Sequence, residues 1–508
     1  MNPPRGRAHP FAVILGVSLI AAGILVGLLA IRSNPSSSKT SGAPLMAYCG
    51  ASMKPTVDAI IKDYERDYGI AVQVQYDASD NLLNAIKMTQ KGDIFIPAEE
   101  AYLNKARQQN LIHETLAIAR NFPVLVVKKG NPKSIHAISD LLRPDVSLAL
   151  ANPAAAIGKV GMELFQKSGD WEALKKRRDT GDKVSELGKE PEVANAVKIG
   201  AADAGVIWAS SVHNYPEIET VAVPLFESAQ QQLASAVLNC STQPTRALHF
   251  LRYLTASDRG LLEFKKNGYK IIDGDPWSEH PELIVFAGAM LRPAIADTLK
   301  EFEAREGLAP IKTVYNGCGV LVGQMRTESR PDAYFACDTS FMKQVQPLFD
   351  APETIAANSM VILVAKGNPR GISKLSDLTQ PGLKLGIGQE QQCALGWLTH
   401  DVLDRAQLCE AVEKNISVRA PTGDFLVNQM RAGALDAAIV YASNTTFARD
   451  ALDVVPVDLP QRFAQQPVAI ARDSKHRQVA ARLLEALRSA ESERRFKENG
   501  FEWVARRP

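Results

Sequence analysis

Short apolar runs alternate with amphipathic periods along most of the chain. "LMAYCGA" (from Leu45) and "LIVFAGA" (from Leu283) are continuous apolar stretches ending in small residues, the pattern of buried parallel strands. Behind the first, Val57, Ile60, Ile61 and Tyr64 fall at i, i+3, i+4 and i+7, one apolar face of a helix. "IAVQVQY" predicts the next strand, and "NLLNAIKMTQKG" (residues 81–92) a helix stopped at its glycine. Repeated β-α-β units predict an α/β fold with mostly parallel sheets covered on both faces. Ligands of such sheets collect beyond the carboxyl ends of the strands, against helix N-termini.

One stretch breaks the alternation. Residues 11–31, "FAVILGVSLIAAGILVGLLAI", form an uncharged run of about 20 residues, enough for a transmembrane helix. Arg5 and Arg7 before it place residues 1–10 in the cytoplasm and the bulk of the chain outside. "GLLAIRS" is a poor cleavage site, which favours an uncleaved anchor over a signal peptide. Residues 32–44 are rich in Ser, Pro and Gly and read as a flexible linker. The expectation is a protein of the periplasm or cell exterior, held at the membrane by one helix, or released if that helix is cut.

The remainder is written twice, at an offset of about 235 residues. "VLVVKKGNP" (from Val124) recurs as "VILVAKGNP" (from Val361), and "KGDIFIPAEEAYL" (from Lys91) as "RPDAYFACDTSFM" (from Arg330). "GAADAGVIWAS" (from Gly200) matches "GALDAAIVYAS" (from Gly433), and the endings "FKKNGY" and "FKENGF" also pair. Two tandem domains follow, over residues 45–278 and 279–508, with the join near "DPWSEHPE".

At 508 residues the chain exceeds one ordinary core, consistent with that division. A net charge of +2 with scattered Lys and Arg gives no basic face for nucleic acid. "KKRR" (from Lys175) reads as a solvated helix face. Catalytic signatures are missing: there is no H-E-x-x-H and no G-x-S-x-G. "AIGKVG" lacks the first glycine and the Ser/Thr of a phosphate-binding loop. No enzyme activity and no cofactor are expected.

The candidate chemistry lies in two serines. Ser52 in "CGASM" and Ser79 in "YDASDNLL" each stand where a strand gives way to a helix. A serine there is an ordinary N-cap. Two of them at successive strand ends also place two hydroxyl donors beside unpaired N–H groups and positive helix ends, which suits a small anion.

In order and spacing, "YCGASMKPTVDAI", "YDASDNLLNAI", "KGDIFIPAEEAYL", "LALANPAAAIGK", "GAADAGVIW" and "FKKNGY" resemble the periplasmic molybdate/tungstate-binding proteins of ABC importers. These are type II periplasmic solute-binding proteins, with two α/β lobes closing on an oxyanion. The resemblance covers both copies, roughly 45–269 and 283–501. It implies that Ser52 and Ser79 donate to the oxyanion, with a backbone N–H from Ala156 or Ile157 after "ANP". A further backbone contact falls near Glu190. Trp208 stands where the family has a ligand-binding tyrosine, and its indole can donate but not accept. The implied partner is an ABC permease.

The second copy departs from the pattern. Met290 replaces the first serine and Cys318 the second, while Tyr441 keeps the family's tyrosine. Cys337 and Cys393 map to cleft-side loops. A disulfide of Cys318 with Cys337 or Cys393 is expected in an oxidising compartment. A soft metal ion such as Cu(I), held by Met290, Cys318, Cys337 and Cys393, is the alternative. The rival for the whole chain is a membrane-anchored sensory or structural ectodomain that keeps the fold without transport.

Overall fold

The computed structural model describes residues 43–153, 155–327, 330–459 and 463–505. The apolar run 11–31 and the linker up to residue 42 lie outside the described residues. Among the described residues no helix is long and apolar enough to cross a membrane.

Each repeat folds as two α/β lobes joined through a long hinge strand. In the first repeat, one lobe has six strands in the order Lys270–Ile271, Ile112–Asn121, Gln231–Leu238, Ile94–Ile96, Leu45–Gly50, Val72–Asp77. The other has five, in the order Val184–Leu187, Leu148–Ala151, Ala204–Trp208, Pro123–Lys128, Ile218–Val221. Parallel pairing is confined to the β-α-β half of each lobe, as in Leu45–Gly50 against Val72–Asp77. The hinge and return strands pair antiparallel, so the sheets are more mixed than β-α-β repetition alone predicts.

The helix expected behind the first strand is Lys54–Tyr68, and it buries Val57, Ile60, Ile61 and Tyr64 against the sheet. Gly69 ends it in a left-handed conformation that glycine adopts without strain. The helix Ser79–Thr89 buries Leu82, Leu83 and Ile86.

The hinge separates the two repeats. In the first, Phe122 interrupts it between Ile112–Asn121 and Pro123–Lys128. In the second, one unbroken strand, Glu353–Ala365, crosses both lobes and joins them into a single ten-stranded sheet. The cores follow suit. The first repeat has one apolar cluster in its distal lobe and two in its proximal lobe. The second has one continuous cluster from Leu283 to Phe501.

The repeats meet through their proximal lobes. Glu306, with no exposed surface, ends the helix Arg292–Glu306 and lies between two buried arginines. Arg482 grips its carboxylate with two bonds, Nε–Oε1 2.6 Å and Nη2–Oε2 2.9 Å. Arg252, from the first repeat, reaches Oε2 at 3.4 Å and also bonds the Glu306 carbonyl. In the connecting segment, Asp275 accepts from the N–H groups of Gln478 and Val479 at the start of helix Arg477–Leu487.

At the edge of this junction Arg305 forks onto Glu114, Nε–Oε1 2.7 Å and Nη2–Oε2 3.0 Å. Burial alone would raise the Glu114 carboxyl, but bonds from His113 and Arg305 outweigh it and bring it down to about 2. A lowered carboxyl stabilises the fold above its unfolded value of 4.5, and that contribution is lost as pH falls toward about 2. His113 is shifted the other way: its bond to Glu114 raises it above its ordinary 6.5, against burial. Its contribution is therefore complete below 6.5 and fades as pH rises through the raised value. Docking of the repeats is expected to be firmest between these limits. Thermal unfolding followed across pH 2–9 should lose stability on the acid side, and Arg305→Ala should flatten that acid limb. An unchanged limb in the variant would remove Glu114 as its cause.

Candidate functional site

In the first domain the strands Leu45–Gly50 and Val72–Asp77 end level with each other, Gly50 opposite Asp77. Each turns straight into a helix. The single 3-10 turn Ala51–Met53 leads from the first strand into Lys54–Tyr68 and carries Ser52, which is exposed. Ser79 opens the second helix and is only 8% exposed. Its Oγ accepts the Ala98 N–H at 3.0 Å. That bond occupies a lone pair and leaves the hydroxyl proton available for donation.

In the distal lobe the strand Leu148–Ala151 is followed by the helix Ala156–Ser168. The Ile157 side chain is buried in that lobe's core, so Ala156 and Ile157 offer backbone N–H groups of a first helical turn, which have no intrahelical acceptor. Gly158 makes the close start possible. A Cβ there would collide with the carbonyl oxygens of Ala151 and Asn152. The first glycine of "AIGKVG" is thus a packing residue.

Trp208 ends the strand Ala204–Trp208, half-buried, and its N–H donates to Glu190 Oε1 at 2.9 Å. Glu190 is the first residue of the helix Glu190–Ile199. Burial raises its carboxyl, against the opposing pull of bonds from Ser211 and the Trp208 N–H.

A clasp closes the hinge behind the cleft. Asn121 Nδ2 donates to Ser210 Oγ at 2.9 Å, and Asn121 Oδ1 accepts from Ser210 N at 3.3 Å. The second domain repeats it with Asn358 and Ser443, at 2.7 and 3.4 Å. These four residues were not singled out by the sequence reading. The available signal was the "AS" that follows the aromatic in both "VIWAS" and "AIVYAS".

The second cleft has the same frame and different chemistry. Cys318 and Cys337 form a disulfide with Cα atoms 6.3 Å apart. Cys337 occupies the Ala98 place, and its N–H lies 3.0 Å from Cys318 Sγ. A covalent bond is here added to the hydrogen bond of the first domain. This removes the soft-metal alternative, because two of the four sulfurs are bonded to each other. Among the described residues no group of three or more His, Cys, Asp or Glu could hold a metal ion. Cys393 is free and buried at the start of the helix Ala394–Arg405, and its thiol faces Ala420 O at 3.7 Å. Met290 is 6% exposed. Tyr441 is buried, and its hydroxyl has no hydrogen-bond partner among the described residues.

The family model for bacterial extracellular solute-binding protein matches residues 45–270 and 283–502, once in each repeat. The chain belongs to that family. Among curated relatives of this solute-binding protein, the molybdate-binding protein ModA of Mycobacterium tuberculosis is 25% identical over 252 residues, covering 48% of this chain and 93% of that protein. The same protein of Mycobacterium bovis matches equally. Among solved structures, the periplasmic molybdate-binding protein of Azotobacter vinelandii is 15% identical with a TM-score of 0.36, covering 45% of this chain and 100% of that one. The solute-binding protein therefore carries two family domains, of which the first keeps both serines and the second neither.

Proposed function

We propose that the first domain captures a tetrahedral oxyanion of the molybdate or tungstate class and delivers it to an ABC permease. The observation that carries this reading is Ser79, whose oxygen is occupied by the Ala98 N–H and whose proton is therefore left to donate. With Ser52 and the first-turn N–H groups at Ala156 and Ile157, it forms a set of neutral donors at helix N-termini. Such donors suit a fully deprotonated anion and are left unpaired around a ligand of the wrong size or protonation. The ModA relatives, molybdate-binding by name, support the choice of ligand. Residues 11–31 would tether the protein at the outer face of the membrane, beside its permease.

Calorimetric titration of the full chain with molybdate, tungstate, sulfate and phosphate tests this. One oxyanion site per chain is expected. Ser52→Ala or Ser79→Ala should each weaken it roughly 10- to 150-fold, the loss of one hydrogen bond to a charged group at about 1.5–3 kcal/mol. If none of the four anions binds, the proposal is wrong.

A further inference from the structure

The two clefts differ at two positions that decide how near the lobes can come. In the first domain the turn before the helix reads Ala78-Ser79-Asp80, and in the second Gly317-Cys318-Gly319. Both glycines press on the opposite lobe. A Cβ on Gly317 would lie 2.6 Å from Gln392 O and 2.8 Å from Pro421 O. One on Gly319 would lie inside van der Waals contact of Gln391 O and 2.9 Å from Gln392 Cα. Without those carbons the backbones meet: Gly319 N–H donates to Gln392 O at 3.0 Å, lobe to lobe.

Around that contact the side chains are buried where their first-domain counterparts are more open. Met290 is buried where Ser52 is exposed, and Tyr441 is buried where Trp208 is half-exposed. The disulfide occupies the position of the Ser79 hydroxyl. The continuous hinge strand and the single apolar cluster describe the same state from behind the cleft.

We infer that the second domain is shut without any ligand, its cleft filled by Met290, the disulfide and Tyr441 and sealed by the backbone contact that Gly317 and Gly319 permit. It is a permanently closed module. In the first domain Ala78 and the exposed Asp80 hold side chains where the second has the two glycines.

Hydrogen exchange on the full chain, extensively dialysed and without added anion, tests this with an internal control. The amides of Gly319 and Asp80 occupy matching positions in a first helical turn, where no intrahelical acceptor exists. If the second cleft is open less than about 1% of the time, Gly319 should exchange at least roughly 100-fold more slowly than Asp80 once intrinsic rates are divided out. Gly319→Asp, which restores the first-domain residue, should expose the Cys393 thiol to a maleimide that leaves it untouched in the parent chain. If that variant does not fold, the comparison within the parent chain still decides. Equal rates at the two amides would overturn the inference. So would a small molecule found by native mass spectrometry whose removal abolishes the Gly319 protection. Failure of oxyanion binding in the first domain would leave these rates unaffected.

Discussion

Glu306→Ala is expected to destabilise the junction between the domains by about 3–5 kcal/mol, the range for removing one partner of a buried ionic group. Arg252 and Arg482 would then be left 7% and 6% exposed, facing each other with no anion between them. Burial opposes ionisation of both. Glu306 overcomes this at Arg482, which stays raised, but not at Arg252, which is drawn down by burial and by Arg482 itself. Without the carboxylate, the two guanidinium groups would separate or admit water, and the domains would undock. Urea denaturation should show this as two resolved transitions in place of one cooperative loss, because multidomain chains unfold together only while their interface holds. Glu306→Gln should be nearly as damaging, since an amide keeps the shape and loses the charge. A single unshifted transition in either variant would show that the triad does not hold the domains together.

The second large effect is expected from the disulfide. Its ends are 19 residues apart, and a closed loop of that size restrains the unfolded chain by about 3 kcal/mol. Cys318→Ser with Cys337→Ala rewrites the site as the Ser79/Ala98 pair of the first domain. The serine can accept the residue-337 N–H that Cys318 Sγ already takes in the parent, so the loss stays at about 3 kcal/mol. The loss should appear as a lower midpoint of the single transition of the docked chain, and in a Glu306→Ala background it should be confined to the transition of the second domain. Reduction of the parent chain should act in the same direction, whereas the double variant should be indifferent to reductant. Sensitivity of the double variant would mean that some other thiol pair is responsible.

Much of the fold was legible because it rests on periodicity. The helix behind the first strand, its glycine stop and the tandem repeat all follow from spacing that survives in a single sequence. The mixed pairing of the sheets was not legible. Whether Gln231–Leu238 returns antiparallel beside Ile94–Ile96 depends on contacts far along the chain, to which β-α-β repetition is blind. The candidate site was half legible. Ser52 and Ser79 announce themselves by position, but the role of Ser79 depends on the partner of its oxygen, and Ala98 is 19 residues away. The cysteines show the limit most clearly. Spacing left Cys318 open to Cys337, Cys393 or a metal, and only the convergence of one strand end with one helix start selects Cys337.

The junction of the two domains has a mechanical consequence. Glu114, Arg252 and Thr245 on one side meet Arg305, Glu306 and Ala304 on the other, and every one of these residues belongs to a proximal lobe. The proximal lobe of the first domain is thereby welded to the whole of the second. Bending at Phe122 then moves a single arm, built on the sheet from Pro123–Lys128 to Ile218–Val221, against a stator made of all the rest. If a solute is taken up in the first cleft, that arm is the part left to close on it, against a base that includes the whole second domain.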